Sequence, residues 1–265
     1  MNLANISGRF NLHTHSTWCD GKSTPEEMIQ AALAQGLTTL GFSSHAMLPY
    51  NDIDWVLTAE KLPRYIDELR TLQAKYQDQI RILVGVEGDY IPGASEPSTA
   101  VYGKYGVDYI IGSVHEVVAP DGAWVHVDAS PEELKSGLAA HYKGDARAFI
   151  TDYFREIRTM IQTCDFDILG HLDLVRKFNE KYPYFDETAP WYLDEVRATL
   201  ETLAATNKIL EVNTGGMARG WTTDAYPAAH LREMIRRDFQ TIPMILSSDA
   251  HSAAALTFAF DTIQL

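Results

Sequence analysis

The sequence has little cysteine and no long apolar run. Its 265 residues include two cysteines, Cys19 and Cys164, too few for a disulfide framework or a cysteine-based zinc ribbon. No apolar run approaches the roughly 18 residues that a membrane helix needs. The first residues, MNLANISGRFNLHTH, lack the apolar core of a signal peptide. We therefore expect a cytoplasmic protein with no membrane partner.

Basic residues are also scarce relative to acidic ones. The 22 lysines and arginines face 36 aspartates and glutamates, and the formal net charge is −14. Such a surface repels phosphate backbones, so we expect no nucleic-acid partner. A small anionic substrate remains compatible, because bound divalent cations reverse the local sign of the charge. With 46% hydrophobic and 22% charged residues, the composition excludes disorder, collagen and coiled coil.

Seven apolar runs have the length of strands. They are continuous rather than alternating, which is typical of parallel strands that are covered on both faces. The predicted strands are residues 10–15, 39–45, 81–89, 109–115, 167–171, 209–213 and 244–248.

Segments with helical periodicity separate these runs. The first is the clearest, because Thr24 can cap it, Pro25 suits its first turn and Glu27 completes a capping box. The predicted helices are residues 23–35, 60–76, 145–163, 191–206 and 228–237, with a last helix over residues 253–265. We interpret residues 91–105 and 116–143 as loops with short helices. The alternation predicts an α/β barrel of βα units, organised as one domain over residues 1–265.

Metal-ligating residue types gather where the predicted strands end. Side chains two apart on a strand share a face, so a pair such as His13 and His15 can hold one ion. Nitrogen and oxygen donors without thiolate suit Zn, Mn or Fe. Nine donors are too many for one tetrahedral ion, so we expect two or three divalent ions that share a bridging carboxylate. The candidate ligands are His13, His15, Asp20, His45, Glu87, His115, His171, Asp249 and His251.

Individually, these residues are weak evidence for a metal site. A single H-x-H pair arises by chance, and a lone strand-end histidine is usually a hydrogen-bonded core residue. The joint occurrence at one predicted end of the barrel favours the metal site. We interpret His126, His141 and His230, which fall in loops or on helices, as surface or structural residues.

Seven segments resemble the polymerase-and-histidinol-phosphatase (PHP) superfamily, most closely its monofunctional histidinol-phosphate phosphatase branch. The resemblance extends from about Phe10 to His251. It implies a distorted (β/α)7 TIM-like barrel with a trinuclear metal site. The segments are NLHTHSTWCDG, GFSSHA, GVEGDY, IIGSVHE, ILGHLDLVRKF, EVNTGGMARG and SSDAH.

The resemblance also sorts the nine ligands among ions. It implies one ion at His13, His15, Glu87 and Asp249, a second bridged by Glu87 and held by His115 and His171, and a third at Asp20, His45 and His251. From the general chemistry of such sites we expect in-line attack by a metal-bridging hydroxide, without a phosphoenzyme. Asp249, His251 or a metal-held water would protonate the leaving alkoxide.

Two arginines are candidates for binding phosphate. Arg176 follows His171 by five residues and Arg219 follows Asn213 by six. The planar guanidinium suits a phosphate group, and the resemblance places phosphate-binding arginines in both motifs. The alternative is that both are ordinary surface residues.

The most favoured function is hydrolysis of a small phosphorylated substrate, L-histidinol phosphate, to L-histidinol and phosphate in histidine biosynthesis. The loop of residues 47–57, with Tyr50, Asp52, Asp54 and Trp55, could recognise the substrate's ammonium and imidazole groups, or be an ordinary exposed loop.

The first alternative function is a PHP-family phosphatase acting on phosphotyrosine or a nucleotide. A second is a non-catalytic PHP module. The third, a metal-dependent amidohydrolase barrel, lacks a candidate for the bridging lysine. Metal identity and oligomeric state stay open.

Overall fold

A computed structural model describes Leu3, residues 6–49 and residues 54–265. Its strands alternate with helices, as the sequence predicts. They are β1 (Phe10–Asn11), β2 (Thr39–Phe42), β3 (Arg81–Asp89), β4 (Tyr109–Ser113), β5 (Glu116–Val118), β6 (Trp124–His126), β7 (Ile168–Leu169), β8 (Ile209–Asn213) and β9 (Met244–Ser247).

Seven of these strands form one parallel sheet, in the order β1-β2-β3-β4-β7-β8-β9. The sheet curls into a nearly closed barrel, because the segment after β1 pairs with the segment after β9. Thr14 and Ala250 form a parallel bridge there, and the His15 amide donates to the Ala250 carbonyl at 2.9 Å. The predicted distorted (β/α)7 barrel is confirmed.

The helices cover the outside of the barrel. In the first one the Thr24 hydroxyl accepts from the Glu27 amide at 3.3 Å and the Glu27 carboxylate accepts from the Thr24 amide at 2.7 Å, which confirms the predicted capping box. The helices are α1 (Pro25–Ala34), α2 (Lys61–Lys75), α3 (Thr99–Tyr102), α4 (Pro131–His141), α5 (Ala146–Thr163), α6 (Pro190–Ala204), α7 (Gly215–Ala218) and α8 (Ala229–Asp238).

Apolar side chains fill the interior of the barrel. Tyr109 is the largest of them, and its hydroxyl donates to the Leu12 carbonyl at 2.6 Å. Glycine is required opposite this ring, since a Cβ at Gly85 would lie 2.4 Å from a Tyr109 ring atom. This apolar cluster consists of Leu3, Leu12, Leu83, Tyr109, Ile111, Ile168, Ile209 and Ile245. Because it fills the interior, a polar site has room only at an end of the barrel.

Two sequence-based interpretations need correction. Residues 116–143 are not a loop with short helices, because β5 and β6 pair in an antiparallel hairpin and α4 is an eleven-residue helix. Residues 253–265 do not form a helix. Only Ala253–Ala255 makes a 3-10 turn, and turns follow, including Ala259 with a left-handed φ of 59° that interrupts helical geometry.

The helices of the described residues are unsuited to a membrane. None of them combines the length and the apolar character that a crossing of the bilayer requires. The longest, α5, has 18 residues and packs against α6 and β5.

Candidate metal centre

All nine predicted ligands lie at the carboxyl end of the barrel. Glu87 sits within β3, while the histidines and Asp249 follow the ends of shorter strands. Closure of the barrel brings the segments of His13 and Asp249 side by side. A further bridge pairs His45 with Glu87, whose carbonyl accepts from the Ala46 amide at 2.8 Å. The strand ends therefore converge as parallel topology requires.

Glu87 stands at the centre of the cluster and faces two groups of imidazoles. Its Oε2 lies 3.2 Å from His13 Nε2 and 3.1 Å from His45 Nδ1. Its Oε1 lies 3.0 Å from His171 Nε2 and 3.6 Å from His115 Nε2. Because the two oxygens point to different groups, the carboxylate has the geometry of a bridging ligand.

The two aspartates complete the cluster on the side of His15. Asp249 Oδ1 lies 3.2 Å from His15 Nε2 and 3.7 Å from His13 Nε2. Asp20 Oδ2 lies 3.1 Å from His251 Nε2. The ligand atoms of His15, Asp20, His45 and His251 all fall within 4.8 Å of one another, which is close enough to share one ion.

The arrangement of the donor atoms suits a bound cation better than it suits hydrogen bonds among the side chains themselves. Four buried atoms make no hydrogen bond to any described residue: His13 Nε2, His15 Nε2, His45 Nδ1 and Glu87 Oε2. Buried polar groups normally have a partner, because an unsatisfied one costs about 1–3 kcal/mol. These atoms belong to two adjoining groups of possible ligands, and divalent ions bound there would satisfy them. The cluster is therefore a site for divalent metal.

The electrostatic field of the cluster also favours cations. Burial by itself lowers the pKa of His13, but the carboxylates of Glu211, Glu87 and Asp249 outweigh it and raise that pKa well above its ordinary value. Conversely, burial raises the pKa of Glu87, and the surrounding imidazoles bring it well below the ordinary range. An environment that stabilises a cationic imidazole also stabilises a metal ion.

Two carboxylates behind the cluster were not identified from the sequence. Glu211 Oε1 lies 2.6 Å from His13 Nδ1, and Asp89 accepts from His115 Nδ1. Each leaves the Nε2 atom of its histidine facing Glu87, as is usual for metal-binding histidines. Two signals were present in the sequence. Glu211 is the one charged residue in the apolar run of β8, and Asp89 lies two residues beyond Glu87, on the same face of β3.

The two predicted phosphate arginines lie in different environments. Arg219 lines the cavity at the cluster, where its Nη2 donates to Asp249 Oδ2 at 2.8 Å and its Nη1 lies 3.0 Å from His251 Nδ1. Arg176 is buried away from it. Its Nε donates to Glu187 Oε2 at 2.6 Å, and its Nη1 lies 3.4 Å from Asp173 Oδ2. The phosphate-binding role of Arg176 stays a prediction, while its contacts favour a structural one.

The cavity has a volume of about 140 Å³. Besides Arg219 and seven of the nine donors, it is lined by Asp128, Leu174 and Lys177, which sequence reasoning missed. Of the predicted recognition loop, Tyr50 and Asp52 lie outside the described residues. Asp54 is exposed, and the Trp55 ring meets the His45 ring edge to face at a centroid distance of 5.5 Å.

Fold and site together define a β/α-barrel metalloprotein whose polar cluster lies at the carboxyl ends of the strands. The family model described as "PHP domain" matches residues 11–215. The chain therefore belongs to the PHP domain family.

Several relatives of this chain are named histidinol-phosphatase or probable histidinol-phosphatase. The chain is 32% identical over 260 residues to the "Probable histidinol-phosphatase" of Deinococcus radiodurans, covering 96% of this chain and 91% of the relative. It is 26% identical over 264 residues to the "Histidinol-phosphatase" of Bacillus subtilis, covering 94% and 96% of the two chains.

Two solved structures share the fold. A Listeria monocytogenes protein assigned as a histidinol phosphatase superposes with a TM-score of 0.85 at 20% identity, covering 97% of this chain and 100% of the other. The histidinol phosphate phosphatase of Lactococcus lactis, solved with zinc, L-histidinol and phosphate, gives a TM-score of 0.64 at 22% identity, with 92% and 87% covered. At these identities the likeness establishes the fold.

Proposed function

We propose that this PHP-family protein hydrolyses L-histidinol phosphate to L-histidinol and inorganic phosphate, a step of histidine biosynthesis. The observation that carries the proposal is the convergence of nine nitrogen and oxygen donor residues, with Glu87 at their centre, in a chain whose full-length relatives bear the name histidinol-phosphatase. The broader class is established by the family and the relatives: the chain is a phosphatase.

Three groups of side chains would hold the metal ions. Zn, Mn and Fe all suit these donors. When bound, such ions supply an activated water as nucleophile and offset the charge of the phosphoryl group. The proposed groups are His13, His15, Glu87 and Asp249 for one ion, Glu87, His115 and His171 for a second, and Asp20, His45 and His251 for a third.

The remaining polar groups would bind the ester and move protons. Arg219 stands beside Asp249 and His251, so its guanidinium is placed to bind a phosphate oxygen at the cluster. The leaving alkoxide would take its proton from Asp249, from His251 or from a metal-held water. Glu87 would hold two ions at a fixed separation, since its oxygens face different imidazole groups.

Phosphate release from a panel of monoesters tests the proposal. The panel contains L-histidinol phosphate, phosphotyrosine, a nucleoside monophosphate and 4-nitrophenyl phosphate, with elemental analysis of the same sample. We expect kcat/KM for L-histidinol phosphate to exceed that for each of the others by at least about tenfold, the discrimination that about 1.4 kcal/mol of differential binding supplies. Equal rates across the panel, or a preference for phosphotyrosine or the nucleotide, would refute the assigned substrate.

Three further sequence-based expectations stay predictions. They are a cytoplasmic location, the absence of a nucleic-acid partner, and a single metallophosphatase domain over residues 1–265. The net charge of −14 continues to argue against a nucleic-acid surface.

A further inference from the structure

The cavity at the metal centre contains one acidic side chain that is outside the donor cluster. Seven of the nine donors are among the described lining residues and account for every other carboxylate there, and the additional side chains are Asp128, Leu174, Lys177 and Arg219. Asp128 lies two residues beyond β6, so the hairpin brings this carboxylate to the mouth of the barrel.

Lys177 holds Asp128 in place through two hydrogen bonds. Its Nζ donates to the backbone carbonyl of Asp128 at 2.7 Å and to Oδ2 at 2.9 Å. The side chain of Lys177 is 11% exposed and that of Asp128 is 29% exposed. No described residue donates a hydrogen bond to Oδ1 of Asp128, so this oxygen retains its capacity to bind a donor from a ligand. The pair is thus a positioned carboxylate with one acceptor unused.

The charge pattern of the cavity suits a substrate of mixed charge. Bound divalent ions, together with Arg219 and Lys177, would offset the carboxylates of the lining and favour the phosphate group. A cationic amine on the same substrate is repelled by that lining unless it meets an anion. Asp128 meets this need as an anion, because, against the opposing effect of burial, its carboxylate forms an ion pair with Lys177 that lowers its pKa below the ordinary value.

The position of the carboxylate matters as much as its charge. In L-histidinol phosphate the ammonium group is on the carbon next to the ester carbon, so it must lie in the same small cavity as the phosphate. Asp128 lines that cavity, whereas Asp54 of the predicted recognition loop is exposed and is not part of the lining. Asp128 is therefore the described carboxylate outside the donor cluster that an amine so close to the phosphorus would meet.

We propose that Asp128 binds the ammonium group of the substrate and, positioned by Lys177, selects phosphate esters of amino alcohols. This inference rests on the proposed function and names a specificity-determining residue for it. The amine would replace solvent at Oδ1 while Lys177 keeps its bond to Oδ2.

Substrate pairs that differ only in the amine test this assignment. We compare L-histidinol phosphate with its deamino analogue, 3-(imidazol-4-yl)propyl phosphate, in wild type and Asp128→Asn. We expect the substitution to reduce kcat/KM for L-histidinol phosphate by about 10- to 100-fold, mainly through KM, because a charge-assisted hydrogen bond is lost. The kcat/KM of Asp128→Asn for the deamino analogue should stay within about twofold of the wild-type value. Asp121→Asn, which alters an exposed aspartate at the hairpin turn, is the matched control.

Binding measurements separate recognition from catalysis. Calorimetry should show that Asp128→Asn weakens the binding of L-histidinol by about tenfold or more and leaves inorganic phosphate binding unchanged within about twofold. Elemental analysis and Tm should match the wild type, and Lys177→Met should show a smaller loss of L-histidinol binding, since Lys177 positions the carboxylate that binds the amine.

The possible outcomes distinguish this inference from the proposed function. Wild type that prefers the amine-bearing substrate, with Asp128→Asn keeping that preference, would overturn the role of Asp128 and leave the proposed function intact. A wild type without any preference for the amine would overturn the subsite itself. If wild type prefers a different amino-alcohol phosphate and Asp128→Asn loses the preference, the assigned substrate is wrong and the subsite is supported.

Discussion

Glu211 connects the two groups of imidazoles that lie on either side of Glu87. Its Oε1 lies 2.6 Å from Nδ1 of His13, and its Oε2 accepts from the backbone amide of His171 at 2.9 Å. Glu211 and His13 are both fully buried. Burial raises the pKa of Glu211, but the His13 imidazole outweighs it and lowers that pKa below its ordinary value. One ionised carboxylate thereby orients donors from two strands.

Replacing Glu211 with glutamine should weaken metal binding. The amide keeps the shape of the side chain but loses the charge that fixes the tautomer of His13. We expect the apparent metal affinity to fall by about 10- to 100-fold, measured by competition with a chelator. Activity should recover at saturating metal, because the ligands themselves are intact. Glu201→Gln, on the exposed side of α6, is the control, and equal metal affinity in the two variants would contradict the role of Glu211.

Replacing Glu87 with alanine should remove more than one ion. Its two oxygens face different groups of histidines, so its loss deprives two ions of a shared ligand. Elemental analysis of the purified variant should show about two fewer ions per chain than the wild type, and phosphatase activity should be abolished. Exposed Glu96 provides the control Glu96→Ala. A loss of one ion or none would show that Glu87 does not bridge.

The two arginines should respond differently to substitution. Arg219→Met should raise the inhibition constant of inorganic phosphate by about tenfold, since the guanidinium at the cavity is lost. Arg176→Met should instead lower the stability by about 3 kcal/mol, because it leaves the buried carboxylate of Asp173 and the partly buried one of Glu187 without their cation. Phosphate inhibition and denaturant unfolding of both variants measure the two effects.

One outcome for Arg176 would support the sequence-based prediction that this residue binds phosphate. If Arg176→Met weakens phosphate inhibition while its unfolding midpoint stays that of the wild type, the residue binds phosphate. Arg197→Met, which removes an exposed ion pair with Asp238, controls for the loss of a surface charge.

Glu156 should make the stability depend on pH away from the metal centre. This glutamate of α5 is 3% exposed, accepts from the Val118 amide at 2.9 Å, and burial raises its pKa to about 8. The unfolded state releases this proton at a pKa of about 4.3, so between that pH and about 8 the folded state keeps a proton that the unfolded state has lost. Its contribution to stability is fully present below that pKa and is lost as the pH rises through about 8.

Glu156→Gln removes this titration and keeps an acceptor for Val118. We expect the variant to gain stability relative to wild type as the pH rises from 5 to 9, by about 2 kcal/mol. A tenfold difference in proton affinity between the folded and unfolded states is worth about 1.4 kcal/mol, and relaxation around the charged form reduces the full effect. Chemical unfolding at a series of pH values measures the difference. A difference between variant and wild type that stays constant across this range, as expected for exposed Glu132→Gln, would refute a raised pKa.

The sequence predicted most of the barrel, because each buried parallel strand is a continuous apolar run. The predicted strand of residues 81–89 coincides with β3, and that of residues 209–213 with β8. Other predicted strands ran into the segments that carry His15, His45 and His115, where the chain leaves regular pairing to present ligands. The hairpin of β5 and β6 was missed because its strands have only three residues each, too few for a periodic signal.

By itself, the sequence determined the fold class and the set of donors at the strand ends, since parallel strands that end in histidine or carboxylate must deliver those groups to one edge. Only the tertiary structure decided which polar residues face the cavity. The neighbours Arg176 and Lys177 show why: the buried Arg176 pairs with the partly buried Glu187, while Lys177 reaches Asp128 at the cavity. The direction in which a side chain points at a turn depends on contacts with residues that are distant in the sequence, so a local sequence pattern does not predict it.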